Sequence, residues 1–398
     1  MDAARFRPLA ELAVFGANVQ PGQIVIVNGD LGHAPLVRAI AAAAYDRGAA
    51  FVDVGYFDPH VKRARIAHAD PDSLEFVPSW YGLRAREHAE GRGARVSVSG
   101  PTATGLLDGF DPELSGRDRL PHLVEIPTII SERTTNWCVV PCPHPAWAKL
   151  VFPGLPDDEA LERLWHEIEH VLRIDEPDPR EAWEERMRQL NDSAARLSVR
   201  RFDAIELRGP GTDLRIGMLP SHVWLSGDFV TCEGLRHLPN LPTEEVFTTP
   251  DPLRTEGHVT STRPLVLRDG TIIEGLRVRF EQGRAVEITA DARADALRSQ
   301  LSVDEGGFRL GELALVDRRG RIGPLGTVFF DTLLDENAAS HIALGGGFAF
   351  AAGEEDAGRV NHSGAHVDFM IGSPELEVDG ITRSGEHVAV LRGGDWQI

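Results

Sequence analysis

Apolar positions recur along this chain with two different periods, and the dominant period changes near its middle. In the first half, short β-branched runs alternate with helical stretches. QIVIV (Gln23 to Val27) predicts a buried strand, APLVRAIAAAAYDRG (Ala34 to Gly48) an alanine-rich helix closed by a glycine, and AFVDVGYF (Ala50 to Phe57) the next strand, which together make a β-α-β unit. A helix around Arg84 to Glu90 leading into RVSVSG (Arg95 to Gly100) repeats the theme. The glycines of NGDLGHA match neither GxGxxG nor a P-loop, so they predict a tight turn rather than a nucleotide site. Residues 157 to 198 predict two helices, DDEALERLWHEIEHVLRI and Glu181 to Leu197, separated by the breaker EPDP. Beyond them strands dominate. FDAIELRGPGTDLRIGML reads as a hairpin around Gly-Pro-Gly, further turns fall at Asp269-Gly270 and Gln282-Gly283, and LGELALVD (Leu310 to Asp317) reads as a core strand. The expected fold is an α/β N-terminal domain, residues 1–198, followed by a strand-rich α+β C-terminal domain, residues 199–398.

Composition narrows the function classes. A length of 398 residues suits two domains with full cores. The formal net charge of -20 disfavours nucleic acid and anionic membrane surfaces, both of which need a basic face. Three cysteines, Cys138, Cys142 and Cys232, make no disulfide framework and fit a reducing cytoplasm. No signal-peptide pattern opens the chain and no run of about eighteen apolar residues occurs, so a cytoplasmic protein without a membrane segment is expected. Trp137 and Trp147, in a proline-rich segment, read as packing anchors.

Polar groups set into apolar runs carry the candidate chemistry. In HVDFMIGS, His366 and Asp368 are two residues apart, so in a strand they share one face and can converge on a divalent cation. A buried His–Asp hydrogen bond would explain an isolated pair equally well. Three further segments add donors: Glu244 or Glu245 in NLPTEEVFTTP, Glu312 in the core strand, and His341 in DTLLDENAASHIALGGG. Glu244 and Glu245 are neighbours, so an extended chain points them opposite ways and only one reaches a shared cation. Buried carboxylates without partners would take up protons, so several of them with two histidines are explained most simply by cations between them. Asp331, Asp335 and Glu336 are placed either to orient His341 from behind or to cap a helix, and His362 reads as a loop histidine. A literal HExxH, His166 to His170 around Glu167, is a weaker signal than it looks. At about 100° per residue Leu161, Leu164, Trp165, Ile168, Val171 and Leu172 share one face, and both histidines fall on the opposite, solvated side.

Four long segments resemble one known family. TNWCVVPCPHPAWAKLVFP (Thr135 to Pro153), NLPTEEVFTTP (Asn240 to Pro250), FDTLLDENAASHIALG (Phe330 to Gly345) and HVDFMIGS (His366 to Ser373) are similar, in that order, to the aminopeptidase T and aminopeptidase S metallopeptidases, and the resemblance spans nearly the whole chain. It implies a two-domain homodimeric enzyme acting on peptide substrates, with two divalent ions (zinc, cobalt or manganese) on the C-terminal domain. Carried over by residue, the metal ligands would be Glu245, Glu312, His341, His366 and Asp368. Whichever of Glu244 and Glu312 is not fully committed to metal is the candidate general base. One position departs: the family carries a tyrosine seven residues after the ligand histidine, where this chain has Phe348, and its three tyrosines, Tyr45, Tyr56 and Tyr81, all lie near the N-terminus. Two other functions therefore compete. His341, His366 and Asp368 also match the composition of a mononuclear iron triad, as in a ring-cleaving dioxygenase of dihydroxypyridines that resembles this family, and Phe348 admits a non-catalytic peptide- or metal-binding relative.

Overall fold

The computed structural model describes residues 3–118, 120–121, 123–267 and 271–398. The chain forms two compact units, residues 1–184 with 228–243, and residues 185–227 with 244–398. Mixed helices and sheets, with strands concentrated in the second half, match the expected fold class.

In the first unit β1 (Ile24–Asp30), β2 (Phe51–Phe57), β3 (Ala94–Ser99) and β4 (Asn136–Pro141) form an all-parallel sheet in the order β2-β1-β3-β4. Val25 and Val27 of β1 are buried, as its apolar run predicts. Helix α1 (Phe6–Gly16) packs on α2 (Ala34–Asp46), which carries a proline in its first turn and stops just before Gly48 at φ +90°, a conformation that favours glycine. The strand runs three residues past Val27, so Asn28, Gly29 and Asp30 pair with β2 and the chain turns only at Leu31–His33. Helix α3 (Ser79–Glu90) starts five residues before the expected Arg84. Helix α4 (Asp157–Val171) buries Leu164, Trp165, Ile168 and Val171, while the His166 side chain is 75% exposed and Glu167 turns inward onto Arg163 at 3.0 Å. Trp147 is fully buried, and Trp137 packs against Phe229 and His237 with ring centroids 5.7 and 4.6 Å away. Helix α5 (Pro179–Arg200) follows the EPDP breaker.

Two large antiparallel sheets make up most of the second unit. One holds β5 (Ala204–Gly209), β6 (Thr212–Met218), β9 (Pro250–Thr260), β10 (Arg277–Glu281), β11 (Arg284–Thr289), β15 (Glu377–Ile381), β16 (His387–Arg392) and β17 (Asp395–Trp396), in the order β11-β10-β9-β6-β5-β15-β16-β17. The predicted hairpin is β5–β6, closed where Gly209 pairs with Thr212, and Gln282-Gly283 turns β10 into β11. The expected turn at Asp269-Gly270 lies outside the described residues. The other sheet holds β7 (Leu225–Ser226), β8 (Glu245–Thr248), β12 (Leu310–Val316), β13 (His341–Gly345) and β14 (His366–Met370), in the order β14-β13-β12-β8-β7. Strand β9 lies against β12, which is buried along all seven residues. A short helix, α6 (Thr332–Glu336), precedes β13.

Candidate metal centre

Directly paired residues of neighbouring strands point to the same face of a sheet, so the ladder register shows which side chains can meet. Ala314 pairs with His341 and His341 with Met370; Glu312 pairs with Ala343 and Ala343 with Asp368; Gly345 pairs with His366. These rows put Glu312, His341, His366 and Asp368 on one face of β12, β13 and β14. Ala343 and Gly345 separate them with almost no side chain, which leaves room for the long donors to lean together. Gly345 has φ +110°, and a Cβ there would meet the Ala365 carbonyl oxygen at 2.2 Å, so glycine lets β13 run tight against His366. From the other flank Phe247 pairs with Ala314, and Glu245 lies two residues from Phe247 on the same side of β8.

Two donor groups result, Glu245–Glu312–His341 and Glu312–His366–Asp368, each with its ligand atoms within 4.8 Å of one another and with Glu312 in both. Each imidazole is aimed by its far nitrogen. His341 Nδ1 lies 3.2 Å from the Ala339 carbonyl oxygen and His366 Nδ1 2.8 Å from that of Gly346. A carbonyl only accepts, so both Nδ1 atoms carry a proton and each Nε2 is turned to the carboxylates, where it holds a second proton in the metal-free cluster and would offer a lone pair to a cation, as in ligating histidines. His366 Nε2 sits 3.3 Å from both Glu312 Oε2 and Asp368 Oδ2. His341 Nε2 approaches Glu245 Oε2 to 3.0 Å, yet that oxygen receives no well-aligned hydrogen bond, and neither does Asp368 Oδ1. Buried acceptors left without donors cost about 1–3 kcal/mol each, a cost that a cation between them removes.

The electrostatics agree. Burial alone would lower both histidines, but Glu245 holds His341 up at about 10, and Asp368 with Glu312 holds His366 well above its ordinary value. Burial pushes Glu312 up to about 7 against the pull of His366, while His366 and His341 outweigh burial at Asp368 and hold it low. The cluster thus gathers protons where positive charge is short. Half-buried Glu336 belongs to it: burial, Asp368 and Glu245 raise its carboxyl well above the usual range, and His341 and Glu312 are also within electrostatic reach. Sequence reasoning gives Glu336 only a supporting role, although its place five residues before His341 on a turn of helix is a usable signal. A set of imidazole nitrogens and carboxylate oxygens suits borderline and hard divalent ions.

Other expected residues lie elsewhere. Glu244 is not brought to the cluster: it is fully buried on Arg186, with Arg186 Nε donating to Oε2 at 2.5 Å. Asp335 accepts from the backbone N–H groups of Phe329 and Asp331 at 2.9 and 3.2 Å, which orders the loop before α6 rather than orienting His341. Asp331 makes no side-chain cap at the start of α6, and His362 is exposed. Phe348 stands beside the donors, its ring centroid 5.5 Å from that of His366, stacked on Phe350 and edge-on to Phe247.

Known proteins share this arrangement of chain. Aminopeptidase T of Thermus aquaticus is 44% identical over 413 residues, covering all of both chains. The structure of wild-type AmpT from Thermus thermophilus superposes with a TM-score of 0.91 at 43% identity, covering 99% of each chain. The 2,5-dihydroxypyridine dioxygenase of Pseudomonas putida KT2440 is 13% identical with a TM-score of 0.56, covering 100% of this chain and 98% of that one, a likeness of fold alone. The family model described as thermophilic metalloprotease (M29) matches residues 3–396. With the donor cluster inside that match and end-to-end relatives above 40% identity, the chain belongs to the M29 metalloprotease family.

Proposed function

We propose that this protein is a metal-dependent aminopeptidase that removes N-terminal residues from peptides, with two divalent ions, zinc, cobalt or manganese, held by Glu245, Glu312, His341, His366 and Asp368. The two overlapping donor groups are the observation that carries the count: Glu245–Glu312–His341 and Glu312–His366–Asp368 each bring three ligand atoms within 4.8 Å of one another, and Glu312 belongs to both. Two divalent cations suit two such groups with both imidazoles neutral. A single ferrous ion on His341, His366 and Asp368 would leave Glu245 and Glu312 buried without a cation, which disfavours the iron-dioxygenase alternative. When bound, such ions polarise a scissile carbonyl and make water at the site a stronger nucleophile at neutral pH.

The chain's own residues supply the rest. Inside the cluster the general-base candidates are Glu312, provided one of its oxygens stays off the cations it would share, and Glu336, which lies in neither donor group; Glu244, the other candidate for that role, is tied to Arg186. The side chain of His366 is 28% exposed, so peptide would approach from its side, past Phe348. Carboxylate oxygens not engaged with cations are suited to hold a free amino terminus. We further propose a homodimer, closed two-fold symmetry being the commonest oligomeric solution for such a chain, located in the cytoplasm.

The test is metal analysis paired with peptide cleavage. Two ions per chain, amino-acid release from peptides with free but not acetylated N-termini, and loss on chelation with recovery on adding zinc, cobalt or manganese are expected. One oxygen-sensitive iron per chain without peptide cleavage would overturn the proposal in favour of the dioxygenase reading. A monomer by light scattering at micromolar concentration would remove the dimer.

A further inference from the structure

Behind the donor cluster, on the opposite side of β8, lies a second set of buried charges that the proposed reaction does not use. Arg186 of α5, 3% exposed, grips two carboxylates at once. Its Nε donates to Glu244 Oε2 at 2.5 Å, while Nη2 and Nη1 donate to Asp317 Oδ1 and Oδ2 at 2.8 and 3.2 Å in a forked pair. Nη2 also reaches the Glu244 backbone carbonyl at 3.4 Å. Asp317 is held in turn by Trp396 Nε1 at 2.9 Å and by the Arg319 backbone N–H at 3.0 Å. The backbone N–H of Glu244 donates to Asn337 Oδ1 at 2.6 Å, and Asn337 Nδ2 ties back to Leu333 O at 3.0 Å and reaches Glu336 Oε1 at 3.5 Å.

The arrangement bears on the metal donors through covalent neighbours. Glu244 immediately precedes Glu245, and Asn337 immediately follows Glu336. Adjacent residues of an extended chain face opposite ways, so whichever glutamate is captured on the reverse side leaves the other facing the cluster. Arg186 captures Glu244. Through the Glu244–Asn337 bond the same anchor joins the carrier of Glu245 to the helix that carries Glu336, and these two groups enter the cluster from different elements.

We propose that Arg186 is a positioning residue for the metal centre: by clamping Glu244 and Asp317 behind β8 it sets the direction of Glu245 and, through Asn337, the placement of Glu336. The inference rests on the donor cluster being a metal site. Lysine at this position keeps the charge but cannot grip Glu244 through one nitrogen while making a forked pair with Asp317. Arg186→Lys is therefore expected to bind cobalt(II) about 10–100-fold more weakly, the usual cost of disturbing a group that orients a ligand, and to alter the visible absorption bands of the bound cobalt. Glu244→Ala, which removes the clamped acceptor, should do the same. Glu244→Gln keeps an oxygen for the Arg186 Nε proton and should recover most of the lost affinity.

Cobalt affinity is read by competition with a coloured chelator and the absorption bands by titration of metal-free protein, with circular dichroism confirming the fold. His366→Ala serves as the reference for the metal site itself. If His366→Ala loses cobalt while folded Arg186→Lys and Glu244→Ala bind it as the parent does, with the same spectrum, the positioning role is wrong and the metal site stands. If His366→Ala leaves cobalt binding unchanged, the metal-site reading fails first. Should Arg186→Lys not fold, the Glu244→Ala and Glu244→Gln pair decides: equal affinity in both overturns the proposal, and recovery in glutamine alone supports it.

Discussion

Replacing His366 by alanine tests the donor cluster where its two groups differ. His366 supplies one of three donors to Glu312–His366–Asp368 and none to Glu245–Glu312–His341. Its Nε2, 3.3 Å from both carboxylates, is lost, while Ala343 and Gly345 next to it offer no side chain that could take its place. Changing only a residue that orients a ligand costs about 10–100-fold in metal affinity, so deleting a direct donor should exceed about 100-fold, or about 2.8 kcal/mol at that position. The expected result is a fall from two bound ions to one after gel filtration, by elemental analysis, with the His341 group still loaded. Stability should follow by mass action. Losing an ion present at about 100 times its dissociation constant removes about 2.7 kcal/mol, and at about 2–4 °C per kcal/mol the melting temperature should drop by about 5–10 °C. Two ions per chain and an unchanged melting temperature in His366→Ala would refute the assignment of Glu312–His366–Asp368 as a metal site.

The HExxH segment supplies the opposite control: His166→Ala with His170→Ala should leave metal content and activity within about twofold, because the histidines lie on the solvated side of α4, and a large loss would relocate the active site. Phe348→Tyr restores a phenol beside His366, where one hydrogen-bond donor to a developing charge is typically worth about 10²–10³ in rate; kcat should rise with little change in stability, and a fall would mark Phe348 as a packing residue. Burial pushes His237 down to about 4, so the fold holds it neutral, whereas unfolded chain gains the proton below about 6.5. Its contribution is therefore complete above about pH 6.5 and is lost as pH falls toward 4, up to about 3 kcal/mol; His237→Phe, which keeps a ring against Trp137, should flatten the pH dependence of thermal unfolding over that window, and an unchanged slope would remove His237 as its source.

Features that depend on neighbours within one turn or one strand are legible in the amino-acid sequence itself. The β-α-β opening, the two helices around EPDP, the Gly-Pro-Gly hairpin and the solvated histidines of α4 follow from side-chain period alone, because that period is set by local backbone geometry. The same local rule puts His366 and Asp368 on one face and forces Glu244 and Glu245 apart. It does not say which glutamate turns toward the cluster, since both orientations satisfy an extended backbone; the pairing of β8 with β12 places Glu245 there, and Arg186, 58 residues away, holds Glu244. Nor does it align Glu312 with Asp368 or His341 with Ala314, because register is a property of paired strands and is set here by long-range ladders with a bulge between Leu310 and Glu312. Glu336 is hard to weigh from sequence for the same reason: a short helix shows its own capping pattern, but not the sheet face onto which it folds. The residue types that a cation needs are written in the sequence, whereas their convergence comes from strand pairing.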